Sequence, residues 1–281
     1  MKRIIPDQPT PEPGIYPDVP EDEYHAWDAM SQSWLGVLDT TTPKHFRHRR
    51  LHPPAPTAAM RFGTVLHTLL LSPFDFGTRF AIAPNAKKNV IAGKKKWAAF
   101  EEALDGREPV TSADYRKASA MAKAIRAFGP ADNLLTGGQA EMSVVWDDDE
   151  TGIRCKLRTD YWNSPLIVDV KTTLDANPDV FTRSLWNYGY HRQVAMYLDG
   201  MPGADDFMFV AVEKTPPYDV LIRPAGKTIY EAGRMSYKRA LFLLKDCRER
   251  DEWPGYGEST KPLDFPEWVL RQEGLEQEMV L

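Results

Sequence analysis

Cysteine is scarce, with only Cys155 and Cys247 in 281 residues. The two stand far apart and in no CxxC pattern. That excludes a disulfide scaffold, a thiolate zinc site and an iron–sulfur cluster held by one chain. Free thiols fit a reducing cytosol, so a cytoplasmic location is expected. Long apolar runs are also missing. None approaches the roughly 18 residues that a membrane span requires, and no membrane partner is expected. The opening stretch MKRIIPDQPTPEPG lacks the apolar core of a secretory signal. Acidic residues are missing from one long window. Between Thr40 and Phe100 the only one is Asp75, against Lys44, Arg47, Arg49, Arg50, Arg61, Arg79, Lys87, Lys88, Lys94, Lys95 and Lys96. This window carries +10 and the rest of the chain −15, for a net charge of −5. A segregated basic region can attract phosphate while the remainder keeps the protein soluble. A solvated loop would carry the same charges.

The residues present describe a globular chain. Its length suits one large domain or two small ones, able to bury roughly three quarters of the unfolded surface without staples. Residues 1–22 are rich in proline and acid and are expected to lack regular structure. Ser31 or Ser33 is placed to cap a short helix through Leu38. Residues 43–60 hold four prolines and read as a loop. Helices are expected over 63–71, 94–104 and 113–128, the last stopped by Gly129-Pro130. The pattern then switches to period two. Strands are expected over 140–146, 153–162 and 166–172, a helix over 185–198, and a hairpin from 207–213 and 218–223. A long helix follows over 227–249, and the tail from Trp253 reads as irregular. Helices followed by a sheet crossed by a helix indicate an α/β (α+β mixed) fold in one domain.

The chemistry concentrates in RTDYWNSPLIVDVKTT. Asp169 and Lys171 are two apart on an expected strand, so they share a face. If Asn163-Ser164 is a two-residue hairpin loop, Asp160 lies diagonally from Asp169, within about 8 Å. A three-residue loop would turn Asp160 to the opposite face. Two carboxylates and a lysine on one face make a hard-oxygen site suited to Mg²⁺ or Mn²⁺. An ion pair between neighbouring strands would explain the same residues. Glu141 is either a third carboxylate or an edge charge. His67, in TVLHTLLL, is either a metal donor or a hydrogen-bonded core residue. Gln193 and Tyr197 are four apart and share a helix face, whether to hold a phosphate backbone or to border an amphipathic helix.

Taken in order, Gly63-x-x-x-His67, Glu141, Asp160, Asp169-Val170-Lys171 and Gln193-x-x-x-Tyr197 resemble the PD-(D/E)xK nucleases, and within them the RecE-like exonucleases. MSQSWLGVL, MRFGTVLHTLLLSP, AGKKKWAAF, YHRQVAMYLDG and FVAVEKTPPYDV resemble the same group, over about residues 24–244. The resemblance implies a restriction-endonuclease-like core, with a central mixed sheet flanked by helices. It implies one exonuclease domain over 23–252, preceded by a flexible segment over 1–22. A tail over 253–281 would be available to an interface. It further implies that His67, Asp160, Asp169 and the backbone carbonyl of Val170 hold the metal, Mg²⁺ with Mn²⁺ able to substitute. Lys171 would activate or position the attacking water, with Glu141 in support, making Asp160, Asp169, Lys171 and Glu141 the catalytic set. Gln193 and Tyr197 would hold the DNA backbone, joined by Arg61, Lys87, Lys88, Lys94, Lys95 and Lys96 from the basic window. The implied activity is resection of the 5′ strand at double-stranded DNA ends. The 3′ overhangs would pass to a RecT-type single-strand annealing protein, in the cytosol of a bacterium or phage-infected host. Related enzymes form homo-oligomeric rings, which implies a trimer or tetramer. The chain departs from the broader pattern in having Asp169 where Glu is common, and it is much shorter than RecE. Two readings compete: a PD-(D/E)xK enzyme with endonucleolytic or structure-specific cleavage, and a non-catalytic DNA-binding protein on the same fold. A sugar hydrolase using paired carboxylates would leave the lysine and the basic window without a role.

Overall fold

The fold is given by a computed structural model, which describes residues 10–257 and 263–274. The chain begins with β1 (Gly14–Tyr16), α1 (Glu21–Ala26), α2 (Gln32–Thr40), α3 (Pro43–Leu51) and α4 (Ala58–Leu71). A short excursion follows, with α5 (Phe76–Arg79), β2 (Phe80–Ile82), α6 (Ile91–Glu102), β3 (Glu108–Val110), α7 (Ser112–Ala127) and α8 (Gly129–Leu134). The sheet region runs through β4 (Gln139–Ala140), β5 (Ser143–Asp147), β6 (Arg154–Arg158), β7 (Tyr161–Asn163) and β8 (Leu166–Thr173). It continues with α9 (Pro178–Asn187), α10 (Tyr190–Gly200), β9 (Asp206–Glu213), β10 (Val220–Pro224), α11 (Lys227–Arg250) and α12 (Glu267–Glu273). No helix among the described residues is long and apolar enough to cross a membrane.

The central sheet has the order β10-β9-β8-β7-β4, with β8 and β9 parallel and the other pairs antiparallel. A parallel pair needs a crossover, and α9 and α10 supply it. Strand β8 is covered on both faces, which is why LIVDVKTT is almost continuously apolar apart from its functional residues. Val168 and Val170 face one core, against Val65 and Leu66 of α4 and Met121 and Ile125 of α7. Ile167 faces the other, with Phe207 and Phe209 of β9, Val194 and Met196 of α10 and Leu241 and Leu244 of α11. A separate antiparallel sheet has the order β1-β5-β6.

Several boundaries differ from the sequence reading. Residues 43–51 are helical because Thr42 accepts from the His45 N–H at 3.3 Å and Pro43 fills the first turn, where no N–H is needed. Thr57 likewise caps α4, which starts earlier than residue 63. Gly129-Pro130 opens α8 as well as ending α7, for the same reason that proline suits a helix start. Glu141, at φ 53°, divides the first expected strand into β4 and β5. Gly189, at φ 70°, divides the expected 185–198 helix into α9 and α10, since a left-handed residue cannot continue a right-handed helix. Residues 14–16, expected to be irregular, pair with β5 through Gly14↔Val145 to Tyr16↔Ser143. The tail holds α12, and Trp253 stacks on Phe46 with ring centroids 6.1 Å apart. Residues 1–9, 258–262 and 275–281 of the expected terminal segments lie outside the described residues.

Helices α10 and α11 approach closely at Gly233. A Cβ there would lie 1.8 Å from the carbonyl oxygen of His191, an overlap that the two backbones must separate to relieve. Gly233→Ala is expected to cost about 1–3 kcal/mol through overpacking, despite the helix propensity gained. Thermal unfolding measures this, and an unchanged midpoint would contradict it.

Candidate active site

Strand β8 carries the centre of the site. Its pairing with β7 runs Asn163↔Leu166, Trp162↔Ile167 and Tyr161↔Val168. The hairpin loop is therefore Ser164-Pro165 and not Asn163-Ser164. Proline has no N–H to give a partner strand, so it takes the loop and releases Asn163 to pair. The change is even in register and keeps Asp160 on the face of Asp169, but directly opposite instead of diagonal.

Two side chains converge on the peptide groups of Val170. Asp160 accepts the Val170 N–H through Oδ2 at 2.7 Å. His67 arrives from α4, beyond the other face of the sheet, and its Nε2 lies 3.1 Å from the Val170 carbonyl oxygen. Its Nδ1 lies 3.4 Å from Asp160 Oδ1. The neighbouring Asp169 is buried, and Gln193 Nε2 donates to its Oδ1 at 2.6 Å. Lys171 Nζ is 2.5 Å from Asp169 Oδ2, yet that oxygen has no well-directed hydrogen bond. Burial pushes the Asp169 carboxyl up; Lys171 opposes this and Asp160 adds to it. Burial alone would lower the Lys171 ammonium, but Asp169 and Asp160 outweigh it and hold the group above its ordinary value. Lys171 is therefore a cation at neutral pH, in a pocket that already holds its counter-charges.

Glu141 joins this group through its main chain, with its N–H donating to the Asp160 carbonyl at 3.1 Å. Its carboxylate lies 4.0 Å from Arg79. His67, Glu141, Asp160 and Tyr197 line an open cavity of about 410 Å³, together with Lys156 and Arg158. Arg61 lines an adjoining cavity of about 910 Å³ that shares Glu141. Lys87, Lys88, Lys94, Lys95 and Lys96 line neither cavity. Lys94 to Lys96 are exposed on α6, and Lys88 pairs with Glu101 and lies over the Trp97 ring. The basic window is also less uniform than its composition. Arg47 meets Asp251, Arg50 meets Asp28, and Arg79 meets Glu21 as well as Glu141.

Sequence reasoning missed Tyr190. Lys171 Nζ sits 4.6 Å from the centroid of its ring, a cation–π distance. Tyr197, assigned to the lysine or the DNA backbone, is buried and lies edge-on to Phe207. The signal for Tyr190 was available, since it precedes Gln193 by three and Tyr197 by seven and so shares their helix face. Arg158 and Lys156 were also missed; both alternate with apolar residues in a strand that reads as ordinary.

Among the described residues, no three His, Cys, Asp or Glu side chains form a ready-made metal cluster. The donor chemistry still suits a hard divalent cation. An imidazole, a partly exposed carboxylate and a main-chain carbonyl meet beside a second, buried carboxylate whose Oδ2 lacks a directed partner.

A family model described as "PDDEXK-like domain of unknown function (DUF3799)" matches residues 33–264. No curated protein matches the sequence. Among solved structures, a "Putative exonuclease" from Eubacterium rectale aligns with a TM-score of 0.55 at 13% identity, over 87% of this chain and 92% of its own. At that identity the likeness shows a shared fold. The structure of SSO0001 aligns at a TM-score of 0.28 and 13% identity, over 52% of this chain and 69% of its own, which is too distant to support an argument.

Proposed function

The chain belongs to the PDDEXK-like family DUF3799, and from that premise we propose that it is a Mg²⁺-dependent exonuclease acting 5′→3′ on double-stranded DNA ends. The observation that carries the reading is the convergence of His67 and Asp160 on the peptide groups of Val170, between Asp169 and Lys171. A structural ion pair would need only Asp169 and Lys171. It would not require a histidine to reach across from the opposite layer to a strand carbonyl.

The roles follow from the contacts. Gln193 fixes the Asp169 carboxylate by donating to Oδ1, which leaves Oδ2 for other partners. The Val170 N–H fixes Asp160 in the same way. His67, Asp160, Asp169 and the Val170 carbonyl are the groups that would hold the cation. When bound, it supplies Lewis-acid polarisation of a phosphoryl oxygen and a lowered pKa for bound water. Lys171 keeps its proton, and its positive charge can stabilise the negative charge that develops on the phosphoryl oxygens. Tyr190 limits the directions in which that ammonium can point. The open cavity beside His67 and Asp160 gives the phosphodiester a route to those two groups.

The exonuclease mode is supported by the likeness to the Eubacterium rectale protein and by the motif order. Linear duplex labelled at the 5′ or 3′ end tests it. Early release of the 5′ label with Mg²⁺ and none with EDTA is the expected result. Cleavage of closed circular duplex at a similar rate would replace the exonuclease with an endonuclease. Products with 3′ overhangs would suit a RecT-type annealing partner, and a trimeric or tetrameric ring would favour processive digestion. Both belong to the same proposal.

A further inference from the structure

The turn between α9 and α10 carries three aromatic residues within five positions: Trp186, Tyr188 and Tyr190. Trp186 is 67% and Tyr188 70% exposed, more than folding alone would leave in water at neighbouring positions. Tyr188 continues the active site. The Tyr188 ring lies 5.7 Å from that of Tyr190, and Tyr190 covers the ammonium of Lys171 at 4.6 Å. A path of rings therefore runs from the surface to the reactive lysine. Trp186 is held flat, because it stacks on the buried ring of His191 with centroids 4.9 Å apart and planes 16° apart. Its placement is fixed before any ligand arrives, which reduces the ordering cost of binding. Arg183, exposed and one helical turn before Trp186, adds a cation to the same surface.

We propose that Trp186 and Tyr188 form a stacking platform for unpaired nucleobases of the DNA strand whose phosphate reaches Lys171. This rests on the nuclease reading above. Flat, pre-oriented rings beside a cation are what single-stranded nucleic acid requires, because every base has a π face whatever its sequence. The contact of Tyr188 with Tyr190, and of Tyr190 with Lys171, selects this occupant, since the strand that brings its phosphate to the lysine would carry its bases past these rings.

The test uses the full-length protein and a duplex with a short single-stranded end carrying 2-aminopurine, bound in EDTA so that no cleavage occurs. Stacking quenches the probe. Tyr188→Ala and Trp186→Ala are each expected to raise Kd about tenfold and to reduce the quench, as loss of one base–aromatic stack does. Tyr188→Phe, which keeps the ring, should bind like the wild type. An abasic nucleotide at the stacked position should make Tyr188→Ala and wild type equal, an outcome that loss of local structure would not produce. Unchanged Kd and quench in both alanine variants, with wild-type cleavage intact, would overturn the platform and leave the nuclease standing. A wild type that neither binds nor cleaves DNA would overturn the nuclease reading and the platform together.

Discussion

Lys171→Ala should reduce cleavage of linear duplex by at least about 10³-fold while leaving DNA affinity within a few fold of wild type. The rate estimate follows from removing a preorganised charge aimed at the developing oxyanion in a water-poor pocket, which costs on the order of 10²–10³, with further loss if the ammonium also orients the nucleophile. The small effect on binding follows from burial. The Lys171 side chain is 15% exposed and is already engaged by Asp169, so it contributes at most one phosphate contact to an affinity that sums many. The substitution leaves the Asp169 carboxylate without its counter-charge. Burial then raises that carboxyl further, and it can avoid the penalty of an unpaired buried charge by taking up a proton. The variant therefore still folds, and an unfolding midpoint measured alongside the kinetics separates lost chemistry from lost structure. Lys171→Arg should not restore the rate, because a planar guanidinium cannot occupy the space of a compact ammonium beneath Tyr190. Cleavage within tenfold of wild type in Lys171→Ala would remove Lys171 from the mechanism.

Asp160→Asn should be comparably damaging, with a different signature. The amide oxygen of asparagine can still accept from the Val170 N–H, so the hairpin geometry survives. The negative charge that would hold a cation is lost. Mn²⁺ affinity, measured by calorimetry, should fall by well over tenfold, since changes even to residues behind metal ligands cost about 10–100-fold. A rise in unfolding midpoint on adding Mn²⁺ to the wild type, expected for any ligand that binds only the folded state, should disappear. Cleavage should fall by about 10³-fold at the same metal concentration. Wild-type Mn²⁺ affinity in Asp160→Asn would show that the cation is held elsewhere.

The centre of the site was legible because β8 leaves little ambiguity. Period-two spacing puts Asp169 and Lys171 on one face, and their buried neighbours explain the apolar run around them. The hairpin was legible as a turn but not in its register, which depends on where Pro165 sits. The helix break at Gly189 escaped because apolar spacing continues across it, and periodicity does not report the sign of φ. The spacing of Tyr190 from Gln193 and Tyr197 was visible, but its role was not. In an unbroken helix it is one more aromatic on a buried stripe; as the first residue of α10 it covers Lys171. The basic window shows the opposite limit. Composition counts cations, but Asp28, Glu101, Glu21 and Asp251, distant in sequence from most of them, decide which remain available to a phosphate.

Lys156 carries a consequence for where this folded unit begins. Its ammonium is almost wholly buried and donates to the main-chain carbonyls of Tyr24 at 2.6 Å, Trp27 at 2.8 Å and His25 at 3.3 Å. The half-buried Arg158 donates to the Val19 carbonyl at 2.8 Å as well as to Ser143 Oγ at 3.0 Å. These main-chain acceptors all precede residue 33, where the family match starts. The family match and the contacts that satisfy these side chains therefore start at different points. A chain cut at the first would retain every metal-holding candidate, yet leave the buried Lys156 amine without its three acceptors, while Arg158 would keep Ser143. A piece that keeps these contacts begins no later than Val19, and the wall of the cleft that Tyr24 and His25 line comes with it.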